Sequence, residues 1–166
     1  MKQHCVKVIH IQKCAYDRGN PDHIVTAFLN FQLNRLNLWG FVPNWTTIFP
    51  YSPKSSKYGK GEELISNLVG RDLKIEIHFL ALVVSQNENK IKGFFDPQSK
   101  KKPCDYKIVG EIKKIQKSLN QNDFESLTID CGFLLEGIKA EEGKFKVGDF
   151  ITVEGRLDIE IKKILD

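Results

Sequence analysis

The stretch 151–162, "ITVEGRLDIEIK", alternates apolar and polar residues without a slip. Ile151, Val153, Gly155, Leu157, Ile159 and Ile161 share one parity, and Thr152, Glu154, Arg156, Asp158, Glu160 and Lys162 share the other. This is the two-residue period of a strand with one face in a core; a helix would spread the same apolar residues around its circumference. Twelve extended residues at roughly 3.3 Å each reach about 40 Å, about twice an ordinary strand, so this one must bend. Gly155, on the inward parity near the middle, lets the strand coil as at the corner of a small closed barrel. Register is pinned as well, because a one-residue slip would drive charged side chains into the core.

The rest of the chain fits around such a strand. With 166 residues, 41% of them hydrophobic and 28% charged, the chain can close its own core as one domain, or as one domain with an extension. No apolar run approaches the roughly 18–20 residues of a membrane span, and "MKQHCVKVIHIQK" lacks the apolar centre of a secretory signal. The expectation is an intracellular protein, cytoplasmic or, in a eukaryote, nuclear. Cys5, Cys14, Cys104 and Cys131 have no framework spacing, which predicts free thiols in a reducing compartment. The net charge of +4 is uneven: positions 50–117 hold fourteen Lys or Arg against eight Asp or Glu, and 118–166 hold six against eleven. The fold decides whether that asymmetry survives in space.

Along the chain, "CVKVIHIQK" reads as a short strand and "AYDRGNPDH" as a loop. The segment "IVTAFLNFQLNRLNLWGFV" fits two patterns. As strands it puts Ala27, Leu29, Phe31 and Leu33 inward and Asn30, Gln32 and Asn34 outward, turns at "NRLN" and resumes at "LWGFV". As a helix it has Asn20 as N-cap, Pro21 in the first turn and a polar stripe of Thr26, Asn30, Asn34 and Asn37. Strands are favoured, since Asn and aromatic residues make a poor helix. "PNWTTIFPYSPKSSKYGKG" is a long exposed connection, and "EELISNLVG" gives one short helix from Glu62 to about Val69, ended by Gly70. A strand at "LKIEIHFLALVV" is followed by a second polar connection that contains a short edge strand, "IKGFF". Three strands finish the chain, "YKIVGEIKKIQK", "SLTIDCGFLLEG" and "DFITVEGRLDIEIKKI", joined by the turn-like "SLNQNDFE" and "IKAEEGKFKVG". Each carries one interior glycine, Gly110, Gly132 and Gly155, as tight coiling requires.

The run "IVGEIKKIQ…LTIDCG…FKVGDFITVEGRLDI" resembles the closing half of an OB-fold barrel. The fold class expected is therefore mainly β: an OB-like antiparallel β-barrel in the C-terminal part, with an N-terminal β-rich extension and one short helix. The division falls at 1–60 and 61–166, unless the two form one continuous domain. The resemblance implies a five-stranded Greek-key barrel of a kind that binds single strands or other proteins. The outward positions of "YKIVGEIKKIQ" and "LTIDCGFLL" are charged or small rather than aromatic, so any stacking rings must come from the connections.

Two connections qualify. The first carries Trp39, Phe41, Trp45, Phe49, Tyr51, Lys54, Lys57, Tyr58 and Lys60; the second carries Phe94 and Phe95 followed by Lys100, Lys101 and Lys102. Rings stack on unpaired bases and ammonium groups sit by phosphates. The competing reading makes Trp39, Phe41, Trp45 and Phe49 the apolar plug of the barrel's open end. The nucleic-acid candidates are thus Trp45, Tyr51, Lys54, Lys57, Tyr58, Lys60, Phe94, Phe95, Lys100, Lys101 and Lys102.

Catalysis finds no purchase in the sequence. His4, His10, His23 and His78 are scattered, and no nucleophile elbow, phosphate-binding glycine loop or dinucleotide fingerprint occurs. On an extended strand Cys5 and His10 face opposite ways, and His10 and Cys14 lie about 13 Å apart, too far for one zinc ion. The expectation is a non-enzymatic binding module without cofactor, metal, membrane or small-molecule substrate. Its partner is single-stranded nucleic acid, met directly or as a small subunit of a complex that binds it. The alternative is a protein-binding module, such as an immunity or antitoxin-type inhibitor or an adaptor, that meets a basic partner with the acidic stripe Glu154, Asp158 and Glu160 or with an exposed edge strand.

Overall fold

The computed structural model describes residues 1–48, 58–117 and 123–165, and among them the chain is mainly β, with nine strands and two short helices. The elements are β1 (Gln3–Asp17), β2 (Asn20–Leu33), β3 (Leu36–Val42), α1 (Trp45–Ile48), α2 (Gly61–Leu68), β4 (Asp72–Gln86), β5 (Gly93–Phe95), β6 (Asp105–Lys117), β7 (Phe124–Asp130), β8 (Leu134–Glu141) and β9 (Phe150–Leu165). The chain divides into two compact units, Met1–Ile77 with Asp158–Asp166, and His78–Leu157. The second is inserted in sequence between the start of β4 and the end of β9.

The first unit is built on a closed five-stranded barrel in the order β3-β2-β1-β4-β9, joined end to end by a parallel pairing of β3 with β9 at Phe41 and Asp158. Strands that alternate in direction cannot close a ring of five, so one neighbouring pair has to be parallel. The barrel is therefore not wholly antiparallel. Residues 3–42 supply three of its strands, which answers the question left open by the sequence: the N-terminal part completes the ring instead of extending it. This meander with a helix before the fourth strand is compatible with an OB-like fold.

Alternation does the sorting inside the first unit. Val6, Val8 and Ile11 of β1, Leu29, Phe31 and Leu33 of β2, Leu38 and Val42 of β3, Leu73, Ile75 and Ile77 of β4, and Ile159 and Ile161 of β9 are all buried. Gly40 shares that inner face because a Cβ there would collide with the Ile159 side chain. The helix α2 adds Leu64 and Leu68, four residues apart and so on one helical face, and Gly70 follows it at φ 86. Segment 24–39 is strand, as favoured above, with Asn34 in the left-handed region at φ 56 in a two-residue turn between paired Leu33 and Leu36. "AYDRGNPDH" is not a loop. β1 runs on to Asp17 and β2 starts at Asn20, with the tight turn held by Gly19 N–H donating to Asp17 Oδ1 (3.0 Å) and Asp22 N–H to Asn20 Oδ1 (3.1 Å). Its turn-forming residues occupy a hairpin tip that the strands reach by pairing, an outcome local composition does not reveal.

In the second unit β6 is central, paired antiparallel with β9 along Asp105–Glu111, with β5 at 107–109 and with β7 along 111–117, while β8 pairs with β7. "SLTIDCGFLLEG" is two strands. β7 ends at Asp130, Gly132 turns the chain at φ 112, and β8 takes Leu134–Glu141, which includes part of the segment read as a turn. Gly132 thus serves a bend and not strand coiling. Gly110 does sit inside β6, where a Cβ would come within 2.9 Å of the Asp130 carbonyl oxygen.

The opening stretch reads as its alternation requires. Ile151, Val153, Leu157, Ile159 and Ile161 are all buried in β9, and Thr152 and Asp158 of the opposite parity are also largely covered.

None of the four cysteines is in a disulfide; Cys5 and Cys14 lie at the surface and Cys104 and Cys131 are buried. Burial pushes the Cys131 thiol up to about 12, which leaves almost no thiolate at neutral pH. A small alkylating reagent counted by mass is expected to add to Cys5 and Cys14 in the native protein and to Cys104 and Cys131 only after unfolding in denaturant. Rapid native labelling of Cys131 would show that its site is open.

Candidate functional site

The meander β1–β2–β3 has an outer face as well as an inner one, and the hairpin register fixes its membership. With Leu33 opposite Leu36, Gln32 faces Asn37, Asn30 faces Trp39 and Phe28 faces Phe41. On the other side of β2, Lys7 faces Gln32, His10 faces Asn30 and Gln12 faces Phe28. Residues directly opposite share a face, so three cross-strand rows run Lys7-Gln32-Asn37, His10-Asn30-Trp39 and Gln12-Phe28-Phe41.

The rows carry aromatic rings held at their edges. The His10 imidazole meets the Trp39 indole edge-on, with centroids 5.9 Å apart at 81°. Phe41 lies tilted against Phe28 at 5.7 Å. Phe28 and Asn30 are buried, Trp39 and Phe41 keep part of their surface open, and Lys7, His10, Gln12, Gln32 and Asn37 are exposed. Asn30 ties the middle row to β3: its Nδ2 donates to Asn37 Oδ1 (2.6 Å) and to the Leu38 carbonyl (3.1 Å). Lys7 and the exposed Arg35 put positive charge at the Gln32-Asn37 end. No protein-family model matches the chain, and no curated protein does.

Of the residues singled out in the sequence, Tyr51, Lys54 and Lys57 lie outside the described residues, as does Phe49 of the expected plug. Trp45 is 1% exposed and belongs to the core, which removes it as a stacking ring. Tyr58 is 8% exposed, capped by the Arg71 guanidinium at 5.1 Å from its centroid, and is likewise withdrawn. Lys60 is exposed just before α2. In the second unit Phe94 is stacked on Phe133 (5.7 Å, 14°) and meets Tyr106 edge-on (5.4 Å), so its ring is engaged within the protein. Phe95 is 43% exposed. Lys100, Lys101 and Lys102 are exposed, but Lys100 Nζ is bonded to Asp96 at 2.6 Å, and the backbone amides of Lys101 and Lys102 donate to Asp105 Oδ2.

The acidic stripe does not form as expected. Asp158 is 8% exposed on the closing strand of the barrel, and Glu160 accepts from Lys162 Nζ at 2.5 Å. Glu154 lines a hollow of about 400 Å³ in the second unit with Pro97, Gln98, Ser99, Lys101, Asp105 and Gly155. A charge ladder crosses the same unit: Lys92 Nζ lies 2.7 Å from Asp130 and 3.4 Å from Glu111, and Lys113 lies 2.9 Å from Glu111. The Lys92 ammonium and the Gly132 amide hold the Asp130 carboxyl below its usual range; Lys113 and then Lys92 do the same for Glu111. These pairs neutralise one another and leave little net charge there to attract a ligand.

The sequence places Trp39 and Phe41 in a ring-bearing connection or in the plug of the barrel's open end, and Asn37 only in the helical alternative for its segment, so the outer face of the meander goes unassigned there. Carrying the strand parity of 27–33 across a two-residue turn would have found it.

Proposed function

We propose that the protein is a non-enzymatic module that binds single-stranded nucleic acid on the outer face of β1–β2–β3. The observation that carries this reading is the register itself, which sets partly open Trp39 and Phe41 two residues apart on one strand. Alternate residues of a strand stand roughly 7 Å apart, a step a flexible single strand matches by splaying successive bases onto successive rings. Oligonucleotide-binding barrels of this size use the corresponding strand face. Lys7 and Arg35 supply cations for phosphates. The protein-partner reading has less support from its acidic stripe, with Asp158 buried and Glu160 bonded to Lys162, and rests on an exposed edge strand.

Two stacked bases at roughly 2 kcal/mol each give about 4 kcal/mol, only millimolar binding, so phosphate contacts must add to them. Each neutralised phosphate of a single strand contributes about 0.7 to the slope of log affinity against log salt. Two or three contacts imply roughly a tenfold loss from about 50 to about 200 mM salt. Fluorescence-polarisation titration of labelled 15-mers of DNA and RNA at the two salt concentrations tests this. Binding at low salt that weakens by that factor is expected; absence of binding at low salt rejects direct contact.

A further inference from the structure

The bond pattern of Asn30 fixes which end of a neighbouring amide faces outward. Asn30 Nδ2 contacts both the Leu38 carbonyl (3.1 Å) and Asn37 Oδ1 (2.6 Å). A backbone carbonyl only accepts, so the Asn30 group that meets it must be the NH2; turned over, its oxygen would face the Leu38 oxygen. With a donor thus fixed in Asn30, the Asn37 atom that meets it must be the carbonyl oxygen. The Asn37 NH2 is left pointing away from Asn30, on an exposed side chain two residues from Trp39 on the same face.

We infer that Asn37 is a specificity-determining residue that presents donors to the edge of a base stacked on Trp39, with Asn30 as the residue that positions it. This rests on the single-strand reading above. One NH2 reaches one acceptor at a time, and a pyrimidine offers it one at either of two places on its pairing edge, O2 or O4 in thymine and uracil, O2 or N3 in cytosine. Adenine offers only N1 there and guanine only O6. A group that can only donate therefore favours pyrimidine-rich single strands, by about fivefold if one net hydrogen bond separates the classes.

The test compares oligo-dT and oligo-dA 15-mers on the parent, Asn37→Asp and Asn30→Leu, each checked for folding by thermal melting. Asp keeps an oxygen for Asn30 but presents acceptors outward, and its added charge weakens both oligomers alike, so the dT/dA affinity ratio is the readout. The ratio is expected to favour dT about fivefold in the parent and to fall to about one in Asn37→Asp. In Asn30→Leu it is expected to fall as well, because the orienting bond is gone. A parent that binds neither oligomer overturns the single-strand reading itself. Binding to both with no dT preference in the parent, or with a ratio unchanged by Asn37→Asp or by Asn30→Leu, overturns the assignment of Asn37 and Asn30 and leaves the platform standing.

Discussion

Replacing Gly155 by alanine is expected to destabilise the protein by about 3 kcal/mol or more, beyond the usual range of an overpacked core site. A Cβ at 155 would collide with the carbonyl oxygen of Leu80 and stand 2.8 Å from its carbon and 3.0 Å from the Ala81 Cα. All three are backbone atoms. A flexible side chain can swing aside for a methyl group, but a strand backbone can withdraw only by giving up its own hydrogen bonds. Nothing about the Gly155 φ is unusual, so the cost is steric and not conformational. For a chain of this size the loss corresponds to a melting temperature lower by roughly 6–12 °C. Gly19→Ala is the control, since its Cβ would meet only Asp17 Oδ1 at 3.6 Å and the bonded amide of residue 19 is retained. Thermal melting and urea midpoints of the two variants decide the matter. A Gly155→Ala protein as stable as the parent would mean that β9 and the Leu80 backbone are not in contact.

The same glycine shows what the sequence could and could not disclose. Its presence on the inward parity of "ITVEGRLDIEIK" announced a strand that needed a missing side chain, and the structure supplies the reason in the Leu80 carbonyl. The neighbouring alternation foretold the burial of Leu157 and Ile159. Which strands close the barrel was hidden, because the decisive pairing, Phe41 with Asp158, joins residues more than a hundred positions apart. Motifs near Gly110 and Gly155 drew attention to the C-terminal strands, while the ring takes three of its five members from the first 42 residues. Asp158 was misread for a related reason. Alternation gives the face of a strand, and it does not say whether that face is covered, as this one largely is at the parallel closure. The binding face was legible in principle. Once Leu33 and Leu36 flank a two-residue turn, every later partner follows by counting, and Trp39 and Phe41 fall opposite Asn30 and Phe28. What misled was composition: two aromatic residues in a run with Trp45 look like one apolar cluster, and only the change from strand to helix after Val42 separates them.

Changing Trp39 and Phe41 together to leucine is expected to lower affinity for single-stranded 15-mers by roughly 10²–10³-fold, since each base–ring contact is worth about 1–3 kcal/mol. Leucine is chosen over alanine because both rings also cover protein: Trp39 lies against His10, and Phe41 against the buried Phe28. An aliphatic side chain keeps much of that cover and lacks the flat π surface on which a base stacks. Binding should therefore collapse while the melting temperature moves by only a few degrees. The contrasting variant is Trp45→Leu. Trp45 is 1% exposed, so its replacement leaves a cavity in the core, lowers stability by a few kcal/mol and spares affinity in the fraction that remains folded. The two variants thus separate a ring that stacks on a ligand from one that fills an interior, a distinction the run "WGFVPNW" blurs. The salt dependence gives a second check: the slope of log affinity against log salt should be unchanged in the Trp39/Phe41 variant, because its phosphate contacts are intact and only the salt-insensitive part of the binding has been removed. Parental affinity in that variant would move the strand off this face and towards the second unit, where Phe95 and Lys100, Lys101 and Lys102 are exposed.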